Sequence, residues 1–277
     1  MVTTTITFRR RRLARRVRQL REAAGLTQEK AAAALDMSTS ALSRKEKGEV
    51  ATSVHEVRSM MDLYQVFDPD LVELARTARE KPWWHAYGIR NRGYFDLEED
   101  ASSVREWQLS FIPGLFQIED YARALFNQGK TMTDPVEIEN AITARILRRN
   151  RLTDPVSPLG FTAIVDQSVL ERPVGGTSVM RRQLRKILEI AELPNVTFQV
   201  MPTQVGSHRG LEGTFILLSY PHPDEPDILY LEHAVGAMHV EKDEAVSTAT
   251  QLFERIRATA LNSAESVEFV HRLAGEP

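Results

Sequence analysis

The chain has 277 residues, 42% of them hydrophobic, and a formal net charge of −3, so it can form one small and one medium-sized domain with sizeable cores. It contains no cysteine, which excludes disulfides and thiolate metal sites and is compatible with a reducing cytoplasm. The N-terminus lacks the apolar segment of a signal peptide and no apolar run reaches the roughly 20 residues of a membrane helix, so we expect a cytoplasmic protein.

The charge is divided unevenly along the chain. Residues 1–60 carry a net charge of +7, and the remaining residues carry −10. A basic head on an acidic body favours contact between the head and phosphate groups. The alternative is that the arginine-rich segment is simply a solvated helix surface.

Residues 8–81 predict five helices. Leu13, Val17 and Leu20 recur at helical spacing and predict a first helix over 8–24. Helices over 53–64 and 68–81 follow the central motif described below, and the last of them has a proline in its first turn. The arginines of the first helix are candidate phosphate contacts, which position a protein on DNA without reading its sequence: Arg9, Arg10, Arg11, Arg12, Arg15, Arg16 and Arg18.

Between the first and fourth helices, residues 25–48 predict two short helices joined by a tight turn. Thr27 and Ser38 are placed to cap the two helices, Asp36 tolerates the left-handed backbone of a sharp turn, and Gly48 ends the second helix. This helix-turn-helix pattern also occurs in hairpins that bind no DNA. Its second helix, however, carries side chains suited to base edges in a major groove: Thr39, Ser40, Ser43 and Arg44.

The residues of this motif resemble the Xre/lambda-repressor-like family, which typically reads GLTQ, a small-residue helix, a turn, and a Ser-capped helix ending in SR.E.G. The matching residues are Gly25, Leu26, Thr27, Gln28, Ala31, Ala32, Asp36, Ser38, Ser43, Arg44, Glu46 and Gly48. The resemblance implies an all-α, five-helix, lambda-repressor-like DNA-binding domain over 8–81. We predict as its DNA-binding residues Gln28, Ser38, Thr39, Ser40, Ser43, Arg44, Arg15 and Arg16.

Two positions depart from that family pattern. Lys30 stands where an acidic residue is common, and Lys45 stands where an apolar core residue is usual. Lys45 must therefore either extend out of the helical bundle or pair with a nearby carboxylate.

Residues 85–277 predict a mixed α/β (α+β) C-terminal domain. Strands are predicted over 104–112, 159–165, 196–201, 214–219 and 228–231, and helices over 119–127, 134–152, 177–191, 244–261 and 266–273. At the junction, Trp83 and Trp84 are interpreted as core residues of this second domain. The alternative is a contact with the first domain or with a ligand.

The segment FIPGLFQIEDYARALF carries the most specific pattern of this region: Pro113, Gly114, Leu115, Gln117, Tyr121, Ala122 and Arg123. It resembles the C-terminal domain of a large actinobacterial group common in Streptomyces, the WhiJ-like, antitoxin-like Xre regulators. Phe116 and Ile118 depart from the usual Leu and Thr. The resemblance implies a C-terminal domain without a catalytic role, which binds a small partner protein encoded nearby.

Other candidate sites are weaker. The histidines of the second half lack the spacing of a zinc site: His208, His222, His233 and His239, with Glu232 and Glu241 beside two of them. The run 175–178, GGTS, precedes a helix but lacks the lysine of a phosphate-binding loop, so a turn and cap is favoured. No nucleophile elbow is present. We expect no metal, no cofactor and no enzymatic activity.

Together these features predict a sequence-specific, DNA-binding transcriptional regulator, cytoplasmic and nucleoid-associated when bound to DNA. We expect a homodimer on a double-stranded operator, because one recognition helix reads about one half-site. For the C-terminal domain two hypotheses remain. It binds a small partner protein, which an exposed apolar groove would favour, or it senses a small molecule, which an enclosed pocket would favour.

Overall fold

The computed structural model describes residues 6–89, 93–128, 134–222 and 224–275. Its internal contacts divide these residues into two compact units. The first unit contains the residues up to 85 together with 93–100, and the second contains 86–89 and the residues from 101 onward. The first unit is helical and the second combines a sheet with helices, which confirms the predicted fold class.

All five helices predicted for the N-terminal region form in the first unit: α1 (Phe8–Ala23), α2 (Gln28–Ala34), α3 (Thr39–Glu46), α4 (Val54–Tyr64) and α5 (Pro69–Thr77). Each begins at a side chain that accepts a hydrogen bond from a backbone N–H of the first turn, which would otherwise lack a partner. These caps are Thr7, Thr27, Ser38, Ser53 and Asp68. The helices enclose one apolar core built around Leu13, Leu42, Val57, Met60 and Leu71.

A sixth helix, α6 (Gly93–Glu99), was not predicted. It belongs to the helical unit, although it follows the residue at which the predicted second domain begins. Its Phe95 ring lies 6.3 Å from the ring of Trp83 and 6.1 Å from that of Trp84, and the indole N–H of Trp83 donates to Glu99 at 3.0 Å. The interpretation of the two tryptophans as core of the second domain is therefore wrong, because they pack within the first.

Acidic side chains of α6 meet the basic N-terminal end of α1. The Asp96 carboxylate accepts a hydrogen bond from the backbone N–H of Phe8, at the helix end where the dipole favours negative charge. Just beyond α6, the Asp100 carboxylate accepts from the Arg9 Nε at 2.8 Å and lies 3.7 Å from the Arg12 guanidinium. Thus Asp100, together with Glu99 of α6, offsets part of the positive charge of α1.

The second unit contains, within the described residues, one six-stranded sheet in the order β3-β2-β1-β4-β5-β6. The strands are β1 (Ser103–Gln108), β2 (Gly160–Asp166), β3 (Val196–Met201), β4 (Phe215–Ser219), β5 (Ile228–His233) and β6 (Gly236–Val240). Strands β1, β2 and β3 are parallel, whereas β4, β5 and β6 add antiparallel. The first five were predicted and β6 was not.

Helices of the second unit connect and cover the sheet. They are α7 (Glu119–Gln128), α8 (Pro135–Leu147), α9 (Gln167–Glu171), α10 (Thr177–Ala191), α11 (Asp243–Thr259) and α12 (Ser263–Ala274). On one face of the sheet, Trp107 and Ile164 pack with Phe253 of α11. On the other, the Phe116 ring packs between Phe161 and Phe198, with centroids 5.2 and 5.5 Å away. Within the described ranges, no helix is both long and apolar enough to cross a membrane.

The PGLFQ…YAR segment holds a buried loop in place. The Gln117 side chain donates to the Ile112 carbonyl at 2.6 Å, and the Tyr121 hydroxyl accepts from the Ile112 N–H at 3.1 Å. From α10, Gln183 donates to the Phe116 carbonyl at 2.8 Å. Because these side chains supply partners that a buried irregular backbone would otherwise lack, the pattern has a structural role.

The pKa of Asp96 predicts how the stability of the helical unit depends on pH. Burial raises this pKa from 3.8 to about 6, against the opposing effect of the hydrogen bond from Phe8. The Asp96 carboxyl binds its proton more tightly in the folded chain than in the unfolded chain. Its contribution to the free energy of unfolding therefore falls as pH rises from about 4 to about 6. Asp96→Asn keeps an oxygen for the Phe8 N–H but does not titrate. Urea titrations at pH 4, 5, 6 and 7 should show a smaller fall for the variant than for the natural chain.

The matched control is Asp62→Asn, on the exposed side of α4. It should reproduce the pH profile of the natural chain. If Asp96→Asn does so as well, the buried carboxyl is not the group that titrates.

Candidate nucleic-acid interface

The turn between α2 and α3 has the predicted geometry. The Thr27 hydroxyl accepts from the Lys30 N–H at 3.3 Å, and the Ser38 hydroxyl accepts from the Ala41 N–H at 3.2 Å. Between the helices Asp36 adopts a left-handed backbone with φ of 51°, as predicted. Gly48, with φ of 74°, follows α3, where a side chain would be strained.

A buried ion pair fixes α3 against α1. The Arg21 Nε donates to Glu46 Oε1 at 2.6 Å, and its Nη2 donates to Oε2 at 3.1 Å. The hydrogen bond to Glu46 raises the pKa of Arg21 further above its ordinary value. The remaining Arg21 nitrogen donates to the Leu26 carbonyl at 2.7 Å, and fully buried Leu42 anchors the middle of α3. Arg21 and Glu46 therefore join the end of α1, the turn into α2 and the end of α3.

The outer side of α3 is polar and open. Ser40 and Arg44 are exposed, whereas Thr39 and Ser43 are half-buried. The Arg44 Nε lies 3.4 Å from the Ser40 carbonyl, and Arg44 forms no ion pair with any described residue. Its guanidinium is thus available to an external acceptor. The exposed Ser38 hydroxyl is already engaged as the cap of α3 and lies 3.1 Å from the Ser40 hydroxyl.

Gln28, predicted to contact DNA, is tied to the buried ion pair. Its side-chain amide donates to Glu46 Oε2 at 2.7 Å, and the residue is half-buried at the start of α2. Gln28 therefore stands beside α3 in a fixed orientation, at the helix end where the dipole attracts negative charge.

Arg16, predicted as a phosphate contact, already pairs with a carboxylate of its own unit. Its side chain is 12% exposed and pairs with the Asp68 carboxylate, which also caps α5 by accepting from the Leu71 N–H at 3.1 Å. An arginine whose charge is already matched has little surface left for phosphate, so Arg16 joins α1 to α5. The neighbouring Arg15 is half-buried.

Lys45, one of the two departures from the family pattern, pairs with a carboxylate. Its ammonium lies 2.9 Å from Glu56 Oε1 and donates to the Ala51 carbonyl at 3.0 Å. Burial acts to raise the pKa of Glu56, but hydrogen bonds from Ser53 and Lys45 hold it below its ordinary value. The second of the two predicted alternatives is therefore the one that occurs.

Two exposed lysines were not predicted as contacts. Lys30 lies in the first turn of α2 and Lys47 directly follows α3, and neither forms an ion pair with a described residue. Both flank the motif at its ends. The sequence shows that both lysines lie close to the motif, between Gly25 and Gly48. It does not show that neither lysine pairs with a carboxylate of a described residue.

The other candidate sites of the sequence do not converge. Within the described residues, no group of three or more His, Asp or Glu side chains could hold a metal ion. His239 lies 3.9 Å from Glu241 and His222 lies 3.8 Å from Asp224, as separate pairs. Gly176, with φ of 90°, begins α10 without a side-chain cap.

Two family models match the chain, and the second of them begins before the end of the helical unit, at residue 92. A family model described as Helix-turn-helix domain matches residues 12–75; with the geometry of α2 and α3, it defines the protein as a DNA-binding regulator of the helix-turn-helix class. A second model, described as Domain of unknown function (DUF5753), matches residues 92–272. The chain belongs to this DUF5753 family. No curated protein and no solved structure matches it.

The buried ion pair yields a stability prediction. Glu46→Leu leaves the Arg21 charge buried without its partner, so the free energy of unfolding should fall by about 3–5 kcal/mol. Adding Arg21→Met removes the second charge as well and should restore most of that loss. Urea denaturation followed by helical circular dichroism measures both variants.

The control for this cycle is Glu73→Leu, which removes one member of the exposed pair between Glu73 and Arg76. It should change the free energy of unfolding by less than about 1 kcal/mol. If the double variant Glu46→Leu/Arg21→Met is no more stable than Glu46→Leu alone, the unpaired Arg21 charge is not the cause of the lost stability.

Proposed function

We propose that the protein is a sequence-specific transcriptional regulator that reads base edges with the exposed side of α3. The observation that carries this proposal is Arg44: an exposed guanidinium, which forms no ion pair with a described residue, on a helix held from behind by Arg21 and Glu46. An arginine can donate two parallel hydrogen bonds to the edge of a guanine in the major groove. Because the helix is held rigidly, the Arg44 side chain starts from one fixed position on the surface.

The surrounding polar residues have supporting roles in this proposal. Thr39, Ser40 and Ser43 adjust the preference for bases beside the one read by Arg44. Phosphate contacts come from side chains beside α3, namely Gln28, Ser38, Lys30 and Lys47, and from Arg15 of α1. This set retains the residues predicted from the sequence, apart from Arg16, and adds two lysines.

The regulator acts as a homodimer in this proposal. One recognition helix spans about one half-site, and two half-sites on DNA require two copies related by a two-fold axis. Linking the copies makes binding of the second half-site effectively intramolecular and raises the overall affinity. Such a protein works in the cytoplasm, on the nucleoid when DNA is bound, and no catalytic step is proposed for it.

For the second unit we retain binding of a small partner protein in an antitoxin-like role, which rests on the resemblance of its motifs. A response to a small molecule is the alternative, and one groove bears on both hypotheses: an open apolar groove suits a partner protein, and its volume suits a small ligand. A groove of about 510 Å³ lies between α11 and strands β4 and β5, within the range of volumes typical of ligand sites. Its lining includes the apolar residues Phe215, Leu229 and Leu252, together with two ion pairs, Arg209 with Glu212 and Lys242 with Glu244.

Base reading by Arg44 is tested by selection followed by titration. The full chain is first used to select its preferred sites from random double-stranded DNA. Arg44→Ala should then weaken binding to the selected site by about 1–3 kcal/mol, while binding to unrelated DNA changes far less, because a lost base contact costs discrimination.

Arg76→Ala is the matched control, since Arg76 is an exposed arginine of the same unit that pairs with Glu73 on α5. It should leave both affinities unchanged. Equal losses on selected and unrelated DNA for Arg44→Ala would make Arg44 a phosphate contact. Failure to select any preferred sequence would remove the proposal of sequence-specific binding.

The salt dependence of DNA binding should distinguish the role of Arg15 from that of Arg16. Removing one phosphate contact should lower the slope of log K against log salt by about 0.9. Arg15→Ala should show this change in titrations between 50 and 300 mM salt. Arg16→Ala should instead leave the slope unchanged and destabilise the helical unit, because it breaks the pair with Asp68. Two variants with equal slopes would place both arginines in the same role.

A further inference from the structure

The two edges of the sheet in the second unit differ. At the β3 edge the backbone groups of Val200 are already satisfied: the Leu261 N–H donates to the Val200 carbonyl at 2.9 Å, and the Val200 N–H donates to the Ser266 hydroxyl at 3.0 Å. Leu261, and Ser266 of α12, therefore cover this part of the edge. Edge strands otherwise present unpaired N–H and C=O groups that attract another strand.

The β6 edge lies at the opposite end of the described sheet order, where β5 is its neighbour on one side and no strand lies on the other. Residues 236–239 are exposed, and Met238 keeps 52% of its surface in solvent. The strand reads Gly-Ala-Met-His-Val and contains no Lys, Arg, Asp, Glu or Pro, the residues with which proteins commonly protect an open edge.

We propose that β6 pairs antiparallel with β6 of a second copy of this chain, about a two-fold axis near Met238, and so joins two sheets into one. The inference rests on the proposed function in one respect: reading two half-sites requires two copies. An edge strand is self-complementary by nature, because an antiparallel copy presents the same backbone donors and acceptors in reverse order.

The side chains of β6 fit this pairing. With Met238 opposite Met238 of the second copy, Val240 of one copy lies opposite Gly236 of the other, where the absence of a side chain leaves room. These residues are on the sheet face that carries Leu229 and Leu231, because Met238 is in register with Leu231 and Val240 with Leu229. The paired strands would therefore cover the apolar surface of Met238 and extend the face packed by α11.

The charges near β6 do not oppose the pairing. In this register Glu241 lies opposite Val235 of the second copy, so the two Glu241 side chains are six residue positions apart, about 20 Å along the strand. This separation exceeds the screening length of about 8 Å at physiological ionic strength. The central residues 236–238 are uncharged, so no like charges meet at the axis.

The test measures self-association of the full chain by sedimentation velocity over a range of concentrations. The natural chain should form dimers. Met238→Lys and Met238→Glu each place like charges side by side at the axis, and each should weaken dimerisation at least ~100-fold. An equimolar mixture of the two variants should form dimers again, because Lys then faces Glu. Val156→Lys, at a position 90% exposed elsewhere in the same unit, should behave as the natural chain.

A monomeric natural chain would overturn the proposal, as would a Met238→Lys variant that remains dimeric. A mixture that stays monomeric would place the axis away from Met238 and reject the stated register. A DNA titration distinguishes failure of the β6 pairing from failure of the proposed function. If β6 pairing holds, Met238→Lys should bind a single half-site as tightly as the natural chain and lose only the gain from the second half-site. A dimer that selects no DNA sequence would refute base reading and leave the β6 pairing intact.

Discussion

The buried ion pair between Arg21 and Glu46 determines where the outward face of α3 points. Taking two charges out of water is costly, and the cost is offset only when geometry and additional hydrogen bonds are good. Here two hydrogen bonds join the charged groups, while the Leu26 carbonyl and the Gln28 amide satisfy what remains. Apolar contact through Leu42 tolerates small rotations of the helix, whereas directed hydrogen bonds do not. Side chains on the far side of α3, Arg44 among them, therefore keep a fixed register.

Local pairing redistributes the positive charge of the first 60 residues. The +7 of this segment includes arginines whose partners lie beyond it: Arg16 meets Asp68, and Arg9 and Arg12 meet Asp100. The basic helix α1 is thus used mainly to hold the unit together. Two exposed lysines that form no ion pair with a described residue, Lys30 and Lys47, lie at α2 and α3, the helices that we propose contact DNA.

Sequence patterns predicted the elements whose determinants are local. Thr27 and Ser38 each cap a backbone N–H three residues ahead, so both helix starts could be read within a few residues. Helix α6 could not, because seven residues give a weak periodicity and its contacts with Phe8 and Arg9, through Asp96 and Glu99, span 88 or more residues of sequence. Strand β6 is exposed on both faces and therefore lacks the alternation that identified the other strands. The burial of Arg16 depends on its pair with Asp68, 52 residues away. The availability of Arg44 depends on the absence of a carboxylate partner among the described residues. Neither could be read from local sequence.

The claim that α3 reads bases is tested most directly by a double-mutant cycle between the protein and its DNA. Guanines of the selected site are replaced one at a time by 7-deazaguanine, which removes the N7 acceptor and leaves base pairing intact, and affinities are measured for the natural chain and for Arg44→Ala. The account predicts that at one guanine the substitution weakens binding of the natural chain and has no effect on the variant, because the hydrogen bond is already lost. Equal losses for both proteins at every guanine would contradict it.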